Sequence, residues 1–408
     1  MRTAEESPDT ALSRRKSVCV AHLADLHFGF SQLSKRTPDN SRNQREADVE
    51  RAALLIADYL AESVKPDIVV VSGDLQDATR ISTPGLMGER SFCRRLKDLP
   101  LIVIGGNHDH VESPIPSMLE VLRKDGADIY LEPATVDIDG VRLHLMPFRA
   151  LARLGRPDAE PYEFDFSSTL TNLLVAHAST EGYSFRDEPV EIPARWVEDE
   201  RFAACLLGHI HEPRQLKGTR AFYSGAVERL DFGERGMDPG FYLHTFTDGK
   251  LVESRFVTVA ELARDAGVEL TPRPMHQIVI EAEGKTLEEI DTKARARLTS
   301  PDIRGSIVKL LVHNVSAAFA KSHLKPDWQG VFQAADGLDL DISAPTRLVG
   351  ELLDVEFAAP PVHLAEAFGA FLSEQEFTSD AERDELIEMG TQALDRARDR
   401  LAELEGSG

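Results

Sequence analysis

An α/β fold is predicted by three observations in the 408-residue sequence. Five short apolar segments, rich in β-branched residues, read as buried strands: Val18 to Ala24, Ile68 to Ser72, Leu101 to Ile104, Leu173 to Ala176 and Ala203 to Leu207. Each ends abruptly in polar residues of the metal-ligand type, and in open α/β sheets chemistry collects beyond the carboxyl ends of the strands. Between the first two, Val49 to Leu60 carries Ala52, Leu55, Ile56 and Tyr59 on one helical face, so strand and helix alternate.

Taken in order, the strand ends deliver Asp25-Leu26-His27, then Gly73-Asp74, then Gly105-Gly106-Asn107-His108-Asp109-His110, then His177, and finally Gly208-His209-Ile210-His211. One such segment reads equally well as a polar loop after a core strand; the repetition is what points to a site. Histidine with aspartate suits borderline and hard divalent cations such as manganese, iron or zinc, and the absence of cysteine from these motifs argues against a thiolate site. The ligands outnumber what one ion takes. Two ions about 3.5–4 Å apart, bridged by a carboxylate and a hydroxide, are the usual arrangement for phosphoester hydrolysis. His209 and His211 bracket one residue, so in an extended turn both imidazoles face one side. The isolated His22, His144, His244, His276, His313, His323 and His363 read as structural.

Composition narrows the classes. Cys19, Cys93 and Cys205 lie far apart and read as small buried hydrophobes of a reducing cytosol, with no disulfide framework. Arg14-Arg15-Lys16 precedes a strand interrupted by His22 and Asp25 rather than an export signal, so residues 1–17 are expected to be a disordered tail and the protein cytoplasmic. No apolar run approaches the about 20 residues of a membrane span. The net charge of -23 argues against indiscriminate DNA binding through bulk charge, while leaving room for a local basic groove.

Further along, residues 28 to 46 read as a loop, Phe92 to Leu99 as a short helix, and 128 to 148 as a hairpin turning at Asp139-Gly140. The stretch from Arg149 to Pro161 is loop-like, and Thr258 to Pro274 reads as a linker. A β-α-β unit follows, with strands Gln277 to Ala282 and Ile307 to Val312 around the helix Leu287 to Leu298. Pro326-Asp327 and Asp336-Gly337 mark turns. Near the C-terminus, Leu364, Phe368, Phe371 and Leu372 recur at helical spacing. A second helix, opened by the capping-box pattern Ser379-Asp380-Ala381-Glu382, continues the apolar stripe.

The ordered set Asp-x-His, Gly-Asp, Gly-Asn-His-Asp, His, Gly-His-x-His resembles the calcineurin-like metallophosphoesterase superfamily. That resemblance implies a sandwich of layered β-sheets flanked by helices. The run from Phe222 through Tyr223, Gly225, Glu228, Arg229, Asp231, Phe232 and Gly233 to Glu234 narrows it further. With Gly240-Phe241 and Arg45-x-x-Asp48 it resembles the SbcD nucleases, bacterial members of the Mre-type double-strand-break repair nucleases, over about residues 18 to 258. Gln76, His110, Ala226 and Pro239 depart from that pattern; none is a proposed ligand.

The resemblance implies one ion held by Asp25, His27, Asp74 and His211, and another by Asp74, Asn107, His177 and His209, with Asp74 as the bridge. His108 would handle protons without ligating, its tautomer fixed by Asp109; Asp77 reads equally well as a partner for a ligand histidine and as a helix or turn cap. The ions would be manganese, and the activity 3′-to-5′ exonuclease and endonuclease on DNA ends or hairpins. The implied layout is a nuclease domain at 18–258, a small α+β capping domain contacting DNA at 272–358, and a helix pair at 361–405. That pair would attach to an SbcC-like SMC-type ATPase in a complex where the chain is a homodimer. Rival readings are a phosphoesterase acting on nucleotides or phosphoproteins, which leaves the Glu228 to Glu234 run unused, and a non-catalytic scaffold, which leaves the ligands and His108 unused.

Overall fold

The computed structural model describes residues 17–32, 37, 42–109, 117–156, 159–183, 188–314, 328–335, 337 and 339–343. His110, the expected N-terminal tail and the expected C-terminal helix pair lie outside them. All five apolar segments form strands, divided between two six-stranded sheets. In the first, β1 (Ser17–Leu23), β2 (Ile68–Val71), β3 (Leu101–Ile104) and β4 (Ala127–Tyr130) run parallel. In the second, β5 (Ala134–Ile138) turns back into β6 (Val141–Met146), which pairs in parallel with β7 (Thr171–His177). After the two-residue pair β8 (Ser179–Thr180) and β9 (Glu191–Ile192), β10 (Ala204–Gly208) lies parallel to β7. β11 (Arg214–Gln215) and β12 (Ala221–Tyr223) complete that sheet beyond β10. The chain then returns to the first sheet as the antiparallel ribbon β13 (Gly240–Thr247) and β14 (Lys250–Thr258), which docks against β1.

Period-2 alternation explains why the central strands are apolar at every position. Ile68 and Val70 face the second sheet, where they meet Leu143, Leu173, Val175 and Leu206. Val69 and Val71 face outward, onto α1 (Gln44–Tyr59) and α2 (Thr83–Arg95) through Ile56 and Phe92. The outer face of the second sheet is covered by α3 (Phe148–Leu154) and α4 (Ala194–Val197), with Leu151 and Trp196 in the contact. The result is a helix–sheet–sheet–helix sandwich, as the sequence predicts. The parallel strands of both sheets deliver their carboxyl ends to one rim, where the Ser72 hydroxyl donates to the Leu206 carbonyl at 3.1 Å. Among the described residues no helix is long and apolar enough to cross a membrane.

Several boundaries differ from expectation for local reasons. α1 begins at Gln44 because the Asn43 side chain accepts the N–H groups of Arg45 and Glu46. α2 runs from Thr83 to Arg95, starting well before the expected Phe92; Ser82 caps it, and Pro84, Gly85 and Gly88 lie in its first turns. The hairpin is shorter than 128 to 148, since Ala127–Tyr130 belongs to the other sheet. α3 occupies part of the expected loop after Arg149. The expected linker contains α5 (Val259–Asp265), closed by a Thr258–Glu261 capping box and buried through Val259, Leu262 and Ala263.

The β-α-β unit forms with α6 (Leu287–Leu298) between β15 (Met275–Glu281) and β16 (Ile307–His313). α7 (Trp328–Ala334) and a third parallel strand, β17 (Asp339–Ser343), extend it. It has its own core of Ile278, Ile290, Leu310, Trp328 and Phe332. Arg273, entering β15, is buried together with Arg45, Asp48 and Glu228. Asp48 accepts from Arg45 at 2.9 Å and from Arg273 at 2.9 and 2.5 Å, and Glu228 accepts the Arg273 backbone N–H at 2.9 Å. Removing one partner from such a buried pair costs about 3–5 kcal/mol, because it strands the other charge.

Gln76, one of the departures from the SbcD pattern, meets a buried acid: its amide donates to Glu89 at 3.0 Å. The remaining oxygen of each residue has no partner. Burial raises the Glu89 carboxyl well above its ordinary range, against the Gln76 hydrogen bond. An acid with a raised native pKa contributes stability that is fully present below its unfolded value and declines as pH rises toward the native one. Glu89→Gln therefore pairs two amides and removes that decline. The variant is expected to melt above wild type at pH 8, by roughly the 2–4 °C that 1 kcal/mol moves a domain, with no gain at pH 4. Equal gains at both pH values in a thermal melt would contradict the assignment.

Candidate metal centre

Every ligand-type residue named from the sequence, within the described residues, comes to the common rim. Asp25 and His27 follow β1, Asp74 follows β2, Asn107 to Asp109 follow β3, His177 ends β7, and His209 and His211 follow β10. The turns are tight enough to need unusual backbone. Asp25, His27, Asp74 and His209 have φ of 52°, 50°, 50° and 96°, a left-handed region costly to non-glycine residues and typical of functional sites. Gly73 has φ 93°, and a Cβ there would run into the His177 ring; at Gly106 a Cβ would run into the Asp74 carboxylate. Both glycines let the strands approach closely enough for the side chains to converge.

Two groups of donor atoms result. In the first, His27 Nε2 lies 3.2 Å from His211 Nε2, and Asp25 Oδ1 lies 3.9 Å from the latter. In the second, Asn107 Oδ1 is 2.9 Å from both His177 Nε2 and His209 Nδ1. Asp74 Oδ2 stands between the groups, 3.7 Å from His27 Nε2 and 3.3 Å from His177 Nε2. Asp25, His27 and His211, and likewise Asp25, Asp74 and His177, have donor atoms near enough to share an ion.

The hydrogen bonds around these rings test whether a cation fits. His177 Nδ1–H donates to the Ser72 carbonyl at 2.7 Å, His209 Nε2–H to Glu188 at 2.7 Å, and His211 Nδ1–H to Glu234 at 2.6 Å. In the neutral rings the inward nitrogens then carry lone pairs. Asn107 Oδ1, His177 Nε2 and His209 Nδ1 meet as three acceptors, with the Asp74 carboxylate beside them. Such a cluster needs positive charge, so the donor set fits divalent cations. Protons answer the same need. Burial pushes His177 down, but Asp74 and then Asp25 push it further up, to about 9. His211 reaches about 9 against burial, through Glu234 and Asp25. Burial raises the Asp74 carboxyl, yet His177, His27 and His108 outweigh it and hold the group well below the usual carboxylate range.

His108 stays exposed at the edge of the cluster, its ring edge-on to His27 at 4.7 Å. The expected hydrogen bond to Asp109 is replaced by another: His108 Nδ1–H donates to the Asp77 carbonyl at 2.6 Å. The buried Asp109 carboxylate instead accepts the backbone N–H groups of Gly106, Gln76 and Leu75 at 2.9, 2.9 and 3.3 Å. Burial and the Asp74 charge raise it to about 6. The carboxylate of Asp77 lies 3.2 Å from His27 Nδ1, without hydrogen-bond alignment. Glu188 carries no motif in the sequence, and Glu234, within the Glu228 to Glu234 run, has a partner that only the fold reveals.

A raised native pKa in His177 and His211 adds stability that is complete below the unfolded value near 6.5 and disappears as pH rises through about 9. Chelator-treated protein is therefore expected to lose melting temperature between pH 6.5 and 9. Added divalent ion should flatten that slope by replacing the protons. A chelated protein with a flat profile over this range would show that the two rings are not charged.

Distant likenesses to solved structures accompany a family match. A conserved uncharacterized protein of Streptococcus pneumoniae TIGR4, described as a predicted phosphoesterase, is 15% identical with a TM-score of 0.28, over 60% of this chain and 91% of that one. The purple acid phosphatase PPD1 of yellow lupin seeds is 14% identical with a TM-score of 0.38, over 61% and 52%. A protein of Thermus thermophilus is 11% identical with a TM-score of 0.36, over 60% and 100%. The family match carries the assignment: residues 20–213 fit the family described as calcineurin-like phosphoesterase. That segment, a little under half of the chain, contains all five ligand-bearing strand ends.

Proposed function

We propose that the chain is a metal-dependent DNA nuclease, the cytoplasmic nuclease subunit of an SbcCD-like double-strand-break repair complex. The family supports a metal-dependent phosphoester hydrolase. The observation favouring DNA over a small ester is the Glu228 to Glu234 run, which carries the SbcD resemblance. At one end Glu234 grips His211; at the other Glu228 accepts the Arg273 N–H at the entrance to the three-stranded sheet. A small ester needs no such link. A polymer lying across both parts does. The same resemblance suggests an SbcC-like SMC-type ATPase as partner, a homodimer, manganese as the metal, and 3′-to-5′ exonuclease and endonuclease activities.

In this reading Asp25, His27, Asp74 and His211 hold one ion, and Asp74, Asn107, His177 and His209 the other. When bound, the ions make water acidic enough to yield a nucleophile at neutral pH and neutralise charge on the phosphoryl oxygens. Hydrolysis joins a water oxygen to phosphorus and expels an alkoxide, which must take up a proton. His108 is placed to give it. As an imidazolium it keeps Nδ1–H on the Asp77 carbonyl and has Nε2–H left to donate. Asp109 acts on the backbone, fixing the Gly106-Asn107-His108 turn against β2 through its three N–H contacts.

His108→Ala is expected to keep two ions per chain while cleaving DNA about 100-fold or more slowly; loss of metal by elemental analysis would make His108 a ligand instead. Asp74→Ala should lose one or both ions, and retention of two rules out the bridge. With manganese supplied, linear duplex, hairpin and single-stranded DNA should be cut in preference to small phosphodiesters and phosphomonoesters. Turnover confined to the small esters would overturn the nuclease reading while leaving the hydrolase intact.

A further inference from the structure

We propose that Glu188 and Glu234 are a pair of positioning residues that hold His209 and His211 by their outward ring nitrogens. His209 is thereby made to offer Nδ1, and His211 Nε2, to the centre. The inference rests on the two-ion reading of that centre. Its basis is a symmetry in the contacts: each imidazole of the Gly208-His209-Ile210-His211 turn donates its outward N–H to a carboxylate, at 2.7 Å for His209 and 2.6 Å for His211. The inward nitrogens face Asn107 Oδ1 and His27 Nε2 respectively.

The two rings do not present the same nitrogen. An extended His-x-His turn would favour equivalence, but His209 has φ 96° and its backbone N–H donates to both Asp25 oxygens at 3.1 Å. The twist leaves one ring meeting the cluster through Nδ1 and its neighbour through Nε2. A free neutral imidazole exchanges its proton between the two nitrogens, so nothing within the turn selects opposite tautomers at adjacent positions. An acceptor on the outer nitrogen of each ring does.

The carboxylates differ in how they are held. Glu234 accepts the Leu230 N–H at 2.6 Å through its other oxygen. It lies in a short turn whose Phe232 packs on Met275 and Ile307 of the three-stranded sheet. Glu188 precedes β9 and is 36% exposed. Surface ion pairs at such exposure contribute little to a fold. The value of this contact lies in the ring it orients.

The test uses the full-length protein, stripped by chelation and titrated with manganese by calorimetry, with ion content from elemental analysis. Glu234→Ala is expected to weaken one ion by about 10–100-fold and Glu188→Ala to weaken the other by a similar factor, the range seen when partners of metal-bound histidines are removed. Glu234→Gln and Glu188→Gln keep an oxygen that accepts the N–H, and should recover to within about threefold of wild type. A merely structural role would instead lower the melting temperature of the chelated protein, with no preference for glutamine over alanine in manganese affinity. Alanine variants that bind both ions as wild type does, or glutamine variants no better than alanine, overturn the inference. Should Glu234→Ala not fold, Glu188→Ala on its exposed segment decides the matter. Wild-type protein that takes up no manganese would defeat the two-ion reading, and this inference with it.

Discussion

The rim of the sandwich is built around acceptors that face one another. Four inward imidazole nitrogens, an amide oxygen and two carboxylates converge where both sheets end, mostly buried and within 4 Å of their neighbours. Without positive charge this arrangement is repulsive, and burial makes the repulsion stronger. The scaffold's unusual features all serve to hold it. Parallel strands bring their carboxyl ends to one edge. Glycines at 73 and 106 admit side chains where a Cβ would block them. Left-handed backbone at Asp25, His27, Asp74 and His209 re-aims the chain within a residue or two of each strand. Such a conformation persists only where the surroundings over-determine it, and here the packed strands do so.

A second buried polar set lies apart from the acceptor cluster and ties the chain together. Arg45 and Asp48 belong to α1, Glu228 to the run after β12, and Arg273 to the approach to β15. Apolar packing would hold these segments with less geometric demand. Buried ion pairs accept few arrangements, so the four residues fix the path of the chain from α1 through the Glu228 to Glu234 turn. That turn ends at the carboxylate beside His211. The Arg45-x-x-Asp48 spacing and the Glu228 to Glu234 run, far apart in the sequence, thus belong to one construction.

Much of this was legible in the sequence, because the signals are local and strong. Fully apolar strands, the polar residues that end them and the helix of the β-α-β unit are read directly from spacing. The α/β class and the ligand positions followed from repetition of one pattern, and the sandwich from the family resemblance. What escaped was set by tertiary contacts or by residues that double as breakers. The start of α2 hid behind Pro84, Gly85 and Gly88, whose caps and packing suit a helix only in context. α5 hid in a stretch with too few periodic apolar residues, although three of them are buried. The partner of His108 is a main-chain carbonyl, which no residue type encodes. Glu188 sits 21 residues from the histidine it meets and bears no local pattern. The departure at Gln76 finds its explanation only when Glu89, 13 residues on, is seen against it.

The acidity of the chain can be reconciled with a phosphate ester as substrate once distance is considered. At physiological ionic strength exposed charges beyond about 8 Å are largely screened, so the net charge of -23 says little about the field inside a cleft. There the relevant groups are Asp25, Asp74, Glu188 and Glu234, and an anion approaching them alone would be repelled. Divalent ions reverse that sign locally, since a bound cation is the largest charge in such a site. Affinity for phosphate is then conferred by the ions and not by the surface, and the protein's own acids set where those ions sit. With remote charges screened, a cation-filled rim would hold a phosphate ester at the place where hydrolysis occurs and not elsewhere. A uniformly basic surface would make no such distinction.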